Sequence, residues 1–213
     1  SYYDDFEQVN MKQGNWLVLA RTKFMLSDVE ETLYSQGLYY QNKFKTNREQ
    51  DLYTAVNDWE NLRKGVDINY DQISRIASYM SEKNFQKSCL KYLDKDARHT
   101  MQGLRERMWL KTNDVWYNSF DNAPQKKVRY IRRMRENGEK LNSTPRITLS
   151  TIHGVKGGEQ DNVVLLTDLS RNTQRNYEQN PDDENRLFYV GATRAKNHLH
   201  IIRPKDIYKG YKI

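Results

Sequence analysis

Four short apolar runs stand out along the chain: Trp16-Leu17-Val18-Leu19-Ala20, Ile147-Thr148-Leu149-Ser150-Thr151-Ile152, Val163-Val164-Leu165-Leu166 and Leu199-His200-Ile201-Ile202. Runs of this length with few polar breaks fit strands covered on both faces, so the four are expected to share one sheet. Between them the pattern turns helical. Ser27 to Gln36 reads as a helix with Ser27 as N-cap, Glu30 three residues on completing a capping box, and Gly37 ending the element. A second helix is expected from about Asp183 to Lys196. Strands alternating with helices predict an α/β fold, a parallel sheet with helices on both faces. Residues 48–140 differ, because apolar positions recur at helical spacings and strand-like runs are missing. One helix is marked by Leu52, Ala55, Val56 and Trp59, and another by Ile73, Ile76, Ala77 and Met80. Two more are expected over Met108 to Phe120 and Val128 to Met134. The simplest architecture is an α/β domain made of residues 1–60 and 141–213, interrupted by a helical insertion over 61–140.

Length changes this picture little: 213 residues can build a core without covalent staples. The single cysteine, Cys89, cannot form an internal disulfide, and no Cys/His spacing resembles a zinc site. A reducing, cytoplasmic setting is the expectation. No apolar run approaches the roughly 20 residues of a membrane span, and the opening SYYDDFEQVN has neither the basic start nor the apolar stretch of a signal peptide.

Charge adds more. The chain carries a net +7, and Lys126 to Arg146 holds eight Lys/Arg against Glu136 and Glu139. Such a density suits a phosphate backbone, with Arg132, Arg133 and Arg135 as candidate contacts. The bland reading fits equally well: Val128, Ile131 and Met134 would bury one side of a helix and leave the basic residues in solvent.

Three segments carry candidate chemistry. In Leu19-Ala20-Arg21-Thr22 a buried strand ends in an arginine, and ligands of open α/β sheets bind beyond the carboxyl ends of the strands. A guanidinium suits phosphate because its planar fork donates two parallel hydrogen bonds, although a strand-end arginine is more often a salt-bridge partner. In Ser150-Thr151-Ile152-His153-Gly154-Val155-Lys156-Gly157-Gly158-Glu159-Gln160-Asp161, three glycines let backbone approach a ligand while Thr, His, Lys and Glu supply polar groups. A mere turn has no use for that load. In Asp183-Glu184-Asn185-Arg186-Leu187-Phe188-Tyr189-Val190-Gly191-Ala192-Thr193-Arg194-Ala195-Lys196, read as a helix, Phe188, Ala192 and Ala195 form a core stripe and Leu187, Gly191 and Arg194 a second one beside it. A charge on that face needs an anionic partner.

The succession LARTK, TIHGVKGGEQDNVVLL and ENRLFYVGATRAKNHLHII resembles motifs IV, V and VI of superfamily 1 DNA helicases of the UvrD/Rep/PcrA type, in the same order. The likeness is strongest over 147–203, fair over 16–49 and absent over about 60–146. Gln160 departs from it, since the family usually has an aromatic residue there. The resemblance implies a RecA-like C-terminal motor domain, called 2A in that family, with the insertion as a reduced 2B domain. It implies that Arg194, as arginine finger, and Arg21 reach the γ-phosphate of ATP. By the same likeness Glu159 contacts the nucleotide sugar, Thr151, His153 and Lys156 meet single-stranded DNA, and Gly157 shapes the loop close to the nucleotide. The lysine of HGVKG favours the UvrD-like group and hence 3′ to 5′ translocation. No GxxxxGK[ST] loop and no acidic pair closing a buried strand occur in the sequence. ATP and Mg²⁺ are therefore expected to be held mainly by a separate N-terminal P-loop motor domain, with single-stranded and duplex DNA as the other partners. Two alternatives stay open: a non-catalytic nucleic-acid-binding module with this fold, and part of a helicase–nuclease subunit of the AddA/RecB kind.

Overall fold

In the computed structural model, which describes residues 1–45, 50–140, 144–155, 158–206 and 208–213, the apolar runs become the centre of a parallel sheet. Its strands are β1 (Tyr2–Tyr3), β2 (Trp16–Ala20), β3 (Tyr40–Asn42), β4 (Ile147–Thr151), β5 (Gln160–Leu166) and β6 (Ala195–Ile202). They lie in the order β1-β6-β5-β2-β4-β3, and every neighbouring pair is parallel. All five residues of β2, which lies between β5 and β4, are buried.

Successive side chains of a strand point to opposite faces, and this alternation builds two cores. Trp16, Val18 and Ala20 join Leu149 and Val164 on one face, where Leu26, Val29 and Leu33 of helix α1 (Leu26–Gln36) cover them. Leu17 and Leu19 join Val163 and Leu165 on the other, where Phe188 of helix α8 (Pro181–Ala192) packs. Helix α7 (Arg171–Gln179) precedes α8, capped by the Ser170 hydroxyl, which accepts from the Thr173 amide at 3.1 Å. The expected α/β class, one parallel sheet with helices on both faces, is what forms.

Several element boundaries differ from expectation. Helix α1 has no capping box: Met25 precedes it, a 3₁₀ turn over Lys23–Met25 leads straight into it, and Glu30 instead accepts from the Asn42 side chain at 3.0 Å. Its other end is as expected, with Gly37 in the left-handed region at φ 68°. Helix α8 stops at Ala192 rather than near Lys196, because Thr193 folds its hydroxyl back onto the Val190 carbonyl at 3.0 Å and Ala195 already pairs with Gln160 of β5.

The chain divides into two compact units, one of Ser1–Asn47, Asn137–Glu139 and Ser143–Ile213 holding the sheet, the other of Arg48–Glu136 and Lys140–Asn142. The second unit starts before residue 61, since α2 (Gln50–Arg63) lies wholly within it, followed by α3 (Tyr70–Ser78), α4 (Met101–Glu106), α5 (Trp116–Ser119) and α6 (Gln125–Glu136). Trp59, Tyr53, Phe85, Phe120, Ile131 and Met134 are all nearly inaccessible there. Asp58, 5% exposed, ties α2 to α3 by accepting from Gln72 Nε2 at 2.6 Å and pairing with Arg75. The helix expected over Met108 to Phe120 shrinks to α5, because Met108 takes φ 58° and Leu110 bridges to Phe85. Burial pushes the Cys89 thiol up to about 11, so it is an inert core residue. Among the described residues no helix is long and apolar enough to cross a membrane.

Candidate functional site

In a parallel sheet all strands enter at one edge and leave at the other, and the candidate residues divide between the two. At the leaving edge, Ala20 of β2 pairs with Thr151 of β4, and Arg21 and His153 follow directly. At the entering edge, Gln160 pairs with Ala195, and the Gln160 amide donates to the Arg194 carbonyl at 3.0 Å. Glu159 and Arg194 are therefore neighbours there. The seven residues of β5 put roughly 20 Å of strand between the edges.

The segment from Thr151 to Glu159 joins them. The residues directly after β4 start across the face beneath α8, with Ile152 and Val155 buried in the same core as Phe188. Its start is a tight turn: the Gly154 amide donates to Thr151 Oγ1 at 3.1 Å and to the Thr151 carbonyl at 3.0 Å. A Cβ on Gly154 would lie 2.9 Å from Ser150 Oγ and 3.3 Å from Phe44 Cζ, so a larger residue there would have to displace the Ser150 hydroxyl. Thr151 is 8% exposed with its hydroxyl used by this turn, whereas His153 and Glu159 are exposed. Lys156 and Gly157 lie outside the described residues.

Arg21 does not stand ready for an anion. Its Nε and Nη2 donate to the two oxygens of Glu184 at 2.7 and 2.8 Å, and the Glu184 side chain is 7% exposed. This bidentate pair fastens β2 to the start of α8 and borders a polar cleft of about 520 Å³ shared with His153, Asn176, Gln179, Asn180 and Asp183. Glu184 was invisible to sequence reasoning as a partner, being 163 residues away in the chain. Arg21 and Arg194 are not brought together within this unit. Glu184, which holds Arg21, lies about 12 Å along the α8 axis from Ala192, and Arg194 follows beyond.

Arg194 itself is not on a helix face, so the argument from helical phase falls away. It occupies the turn between α8 and β6, half-buried, with Nε donating to the Val190 carbonyl at 3.0 Å and Nη2 to Thr193 Oγ1 at 3.4 Å. These bonds fix the guanidinium against the end of α8, where the negative pole of the helix favours a cation. No hydrogen bond of its Nη1 occurs among the described residues.

In the helical unit, α6 turns Val128, Tyr130, Ile131 and Met134 inward and leaves Arg132, Arg133 and Arg135 exposed. Arg132 lies 4.8 Å above the Tyr117 ring and pairs with Glu136 at 3.4 Å. Arg146 is withdrawn from the basic segment: it binds Glu139 at 2.6 Å and the carbonyls of Met11 and Gly14 at 2.6 and 3.1 Å. The basic face is thus narrower than its sequence charge.

No curated protein matches this chain. The family model of the UvrD-like helicase C-terminal domain matches residues 1–206, spanning the sheet, the crossing segment and the turn that carries Arg194. With that match over nearly its whole length and a RecA-like parallel sheet beneath it, the chain belongs to the UvrD-like helicase C-terminal domain family.

Proposed function

We propose that this chain is the C-terminal motor half of an ATP-dependent DNA helicase that translocates 3′ to 5′ on single-stranded DNA and unwinds duplex. The observation that supports the reading is the placement of the helicase-like segments, with His153 following β4 at one edge of the sheet and Glu159 and Arg194 preceding β5 and β6 at the other. Glu159 and Arg194 then face ATP across a cleft closed by an N-terminal P-loop motor domain. Bound ATP with Mg²⁺ supplies the phosphoryl-transfer chemistry. An entering edge that carries an exposed Glu159 next in the chain to the strand paired with the Arg194 turn fits a nucleotide's sugar and phosphates: the carboxylate accepts from ribose hydroxyls, and the arginine meets charge on the γ-phosphate.

At the leaving edge His153 contacts the single strand, while Thr151 acts through the turn it caps rather than by direct contact. Arg21 serves as a positioning residue, keeping α8 registered against β2. Arg132, Arg133 and Arg135 add sequence-independent attraction for the phosphate backbone. Because the crossing segment packs on α8, a shift at the DNA edge is felt at the helix that ends beside Arg194.

The experiment is a comparison of DNA-stimulated ATP turnover by the 213-residue chain and by the complete helicase. The chain alone, whose sequence has no phosphate-cradling loop, shows none, and the complete enzyme shows stimulation by single-stranded DNA. Steady turnover by the purified chain contradicts the proposal.

A further inference from the structure

The helical unit has a recess of its own, of about 420 Å³, where the ends of α2 and α6 meet the start of α5. Its walls carry three guanidiniums, Arg63 from α2 and Arg132 and Arg135 from α6, the latter two neighbours on one helix face by their spacing of three. Two of them are held only loosely by the recess's own carboxylates. Arg63 Nη1 lies 3.4 Å from each Glu60 oxygen, and Arg132 Nε lies 3.4 Å from Glu136. Charge-assisted bonds of full strength are about 2.7–2.9 Å long, so a better acceptor can draw both arginines away. Arg132 is also steadied from one side, 4.8 Å above the Tyr117 ring. Arg135 makes no hydrogen bond and no ion pair among the described residues, so one positive charge of the recess is uncompensated.

We propose that this recess seats the terminal phosphomonoester of a nucleic-acid strand, with Arg135 as its main donor and Arg63 and Arg132 beside it; this rests on the phosphate-backbone reading of α6. The shape separates an end from a backbone. Internal phosphates carry one charge each along a continuous chain, which any exposed arginine of α6 can meet. A recess in the size range of small-ligand sites admits a chain end instead. The phosphate there carries close to two charges and three acceptor oxygens, enough to engage several guanidinium forks at once. Phosphorylated strand ends are thereby told apart from unbroken stretches.

The test titrates the 213-residue chain with a single-stranded oligonucleotide labelled at its 3′ end and carrying either a phosphate or a hydroxyl at its 5′ end. The phosphorylated strand binds at least about tenfold tighter, the low end of what one hydrogen bond to a charged group contributes. Arg135→Gln removes that preference. Arg129→Gln, which takes the same charge from an exposed α6 position outside the recess, weakens both strands alike and keeps the preference. Equal affinity of wild type for the two strands, a preference that survives Arg135→Gln, or one lost in Arg129→Gln as well overturns the strand-end assignment while leaving the backbone reading of α6 intact. So does thymidine 5′-monophosphate binding as tightly as the phosphorylated strand, which assigns the recess to free mononucleotides. Displacement of the strand by a polyaspartate peptide but not by that mononucleotide assigns it to an acidic protein partner and overturns it too. If the wild-type chain binds neither strand, the backbone reading fails and this inference with it.

Discussion

Arg194→Ala in the complete helicase is expected to remove most ATP hydrolysis and all unwinding while leaving ATP affinity within about tenfold and single-strand affinity unchanged. An arginine finger acts on charge that develops as the γ-phosphoryl group departs, so its loss falls on the chemical step more than on ground-state binding. In GTPases such fingers contribute roughly 10³ to 10⁵ in turnover. The local structure sharpens the expectation. Nε and Nη2 of Arg194 are engaged with the Val190 carbonyl and Thr193 Oγ1, so the guanidinium is braced from behind before any ligand arrives. Arg194→Lys rescues poorly, because an ammonium restores the charge without the planar fork or the backbone brace. Single-turnover hydrolysis alongside nucleotide and DNA titrations checks this, and hydrolysis near the wild-type rate would make Arg194 a surface arginine.

The largest stability effect is expected at Phe188. Its ring is 1% exposed, stacks on Tyr211 with centroids 4.0 Å apart and planes 2° from parallel, and packs with the buried Leu17, Leu19, Ile152 and Leu165. Phe188→Ala loses that burial and leaves a cavity that the surrounding strands cannot close, a cost of about 3–5 kcal/mol. Phe188→Leu keeps part of the volume and costs markedly less. Native-state hydrogen exchange of the β5 amides in denaturant measures the loss within the sheet unit itself. A change below about 1 kcal/mol for Phe188→Ala would mean that α8 does not pack on the sheet as described.

How much of this was legible in the sequence follows from which physical signals are local. Strands β2, β4 and the second halves of β5 and β6 announce themselves because burial on both faces demands runs such as Trp16 to Ala20. Strands β1 and β3 have two and three residues and no such run, so nothing local marks them. The first half of β6, Ala195 to His198, is largely exposed, and its polar residues continue the helical pattern of α8 without a break. The sequence pattern therefore carries the helix on to Lys196 and sets Arg194 on it, whereas the structure ends it at Ala192. The capping box at Ser27 was plausible chemistry, but Glu30 finds a better partner in Asn42 from another strand.

Of the site, the motif residues themselves were readable, since their spacing carries the likeness. Their grouping was not. Whether Arg21 stands beside Arg194 or at the far edge depends on strand register and on a carboxylate 163 residues away, and neither is a property of the local sequence. The narrowing of the basic face has the same origin, because Arg146 is consumed by Glu139 and by two carbonyls near the start of the chain.

The central claim, that DNA and nucleotide occupy opposite edges of the sheet joined by the Thr151–Glu159 crossing, is tested most directly by hydrogen–deuterium exchange mapping of the complete helicase. Single-stranded DNA is expected to slow exchange over residues 21–25 and 152–154. A non-hydrolysable ATP analogue is expected to slow it over 159–161 and 192–195, where the Gln160 amide meets the Arg194 carbonyl. Nucleotide protection of the turns after β2 and β4, with the turn between α8 and β6 unchanged, would contradict the account.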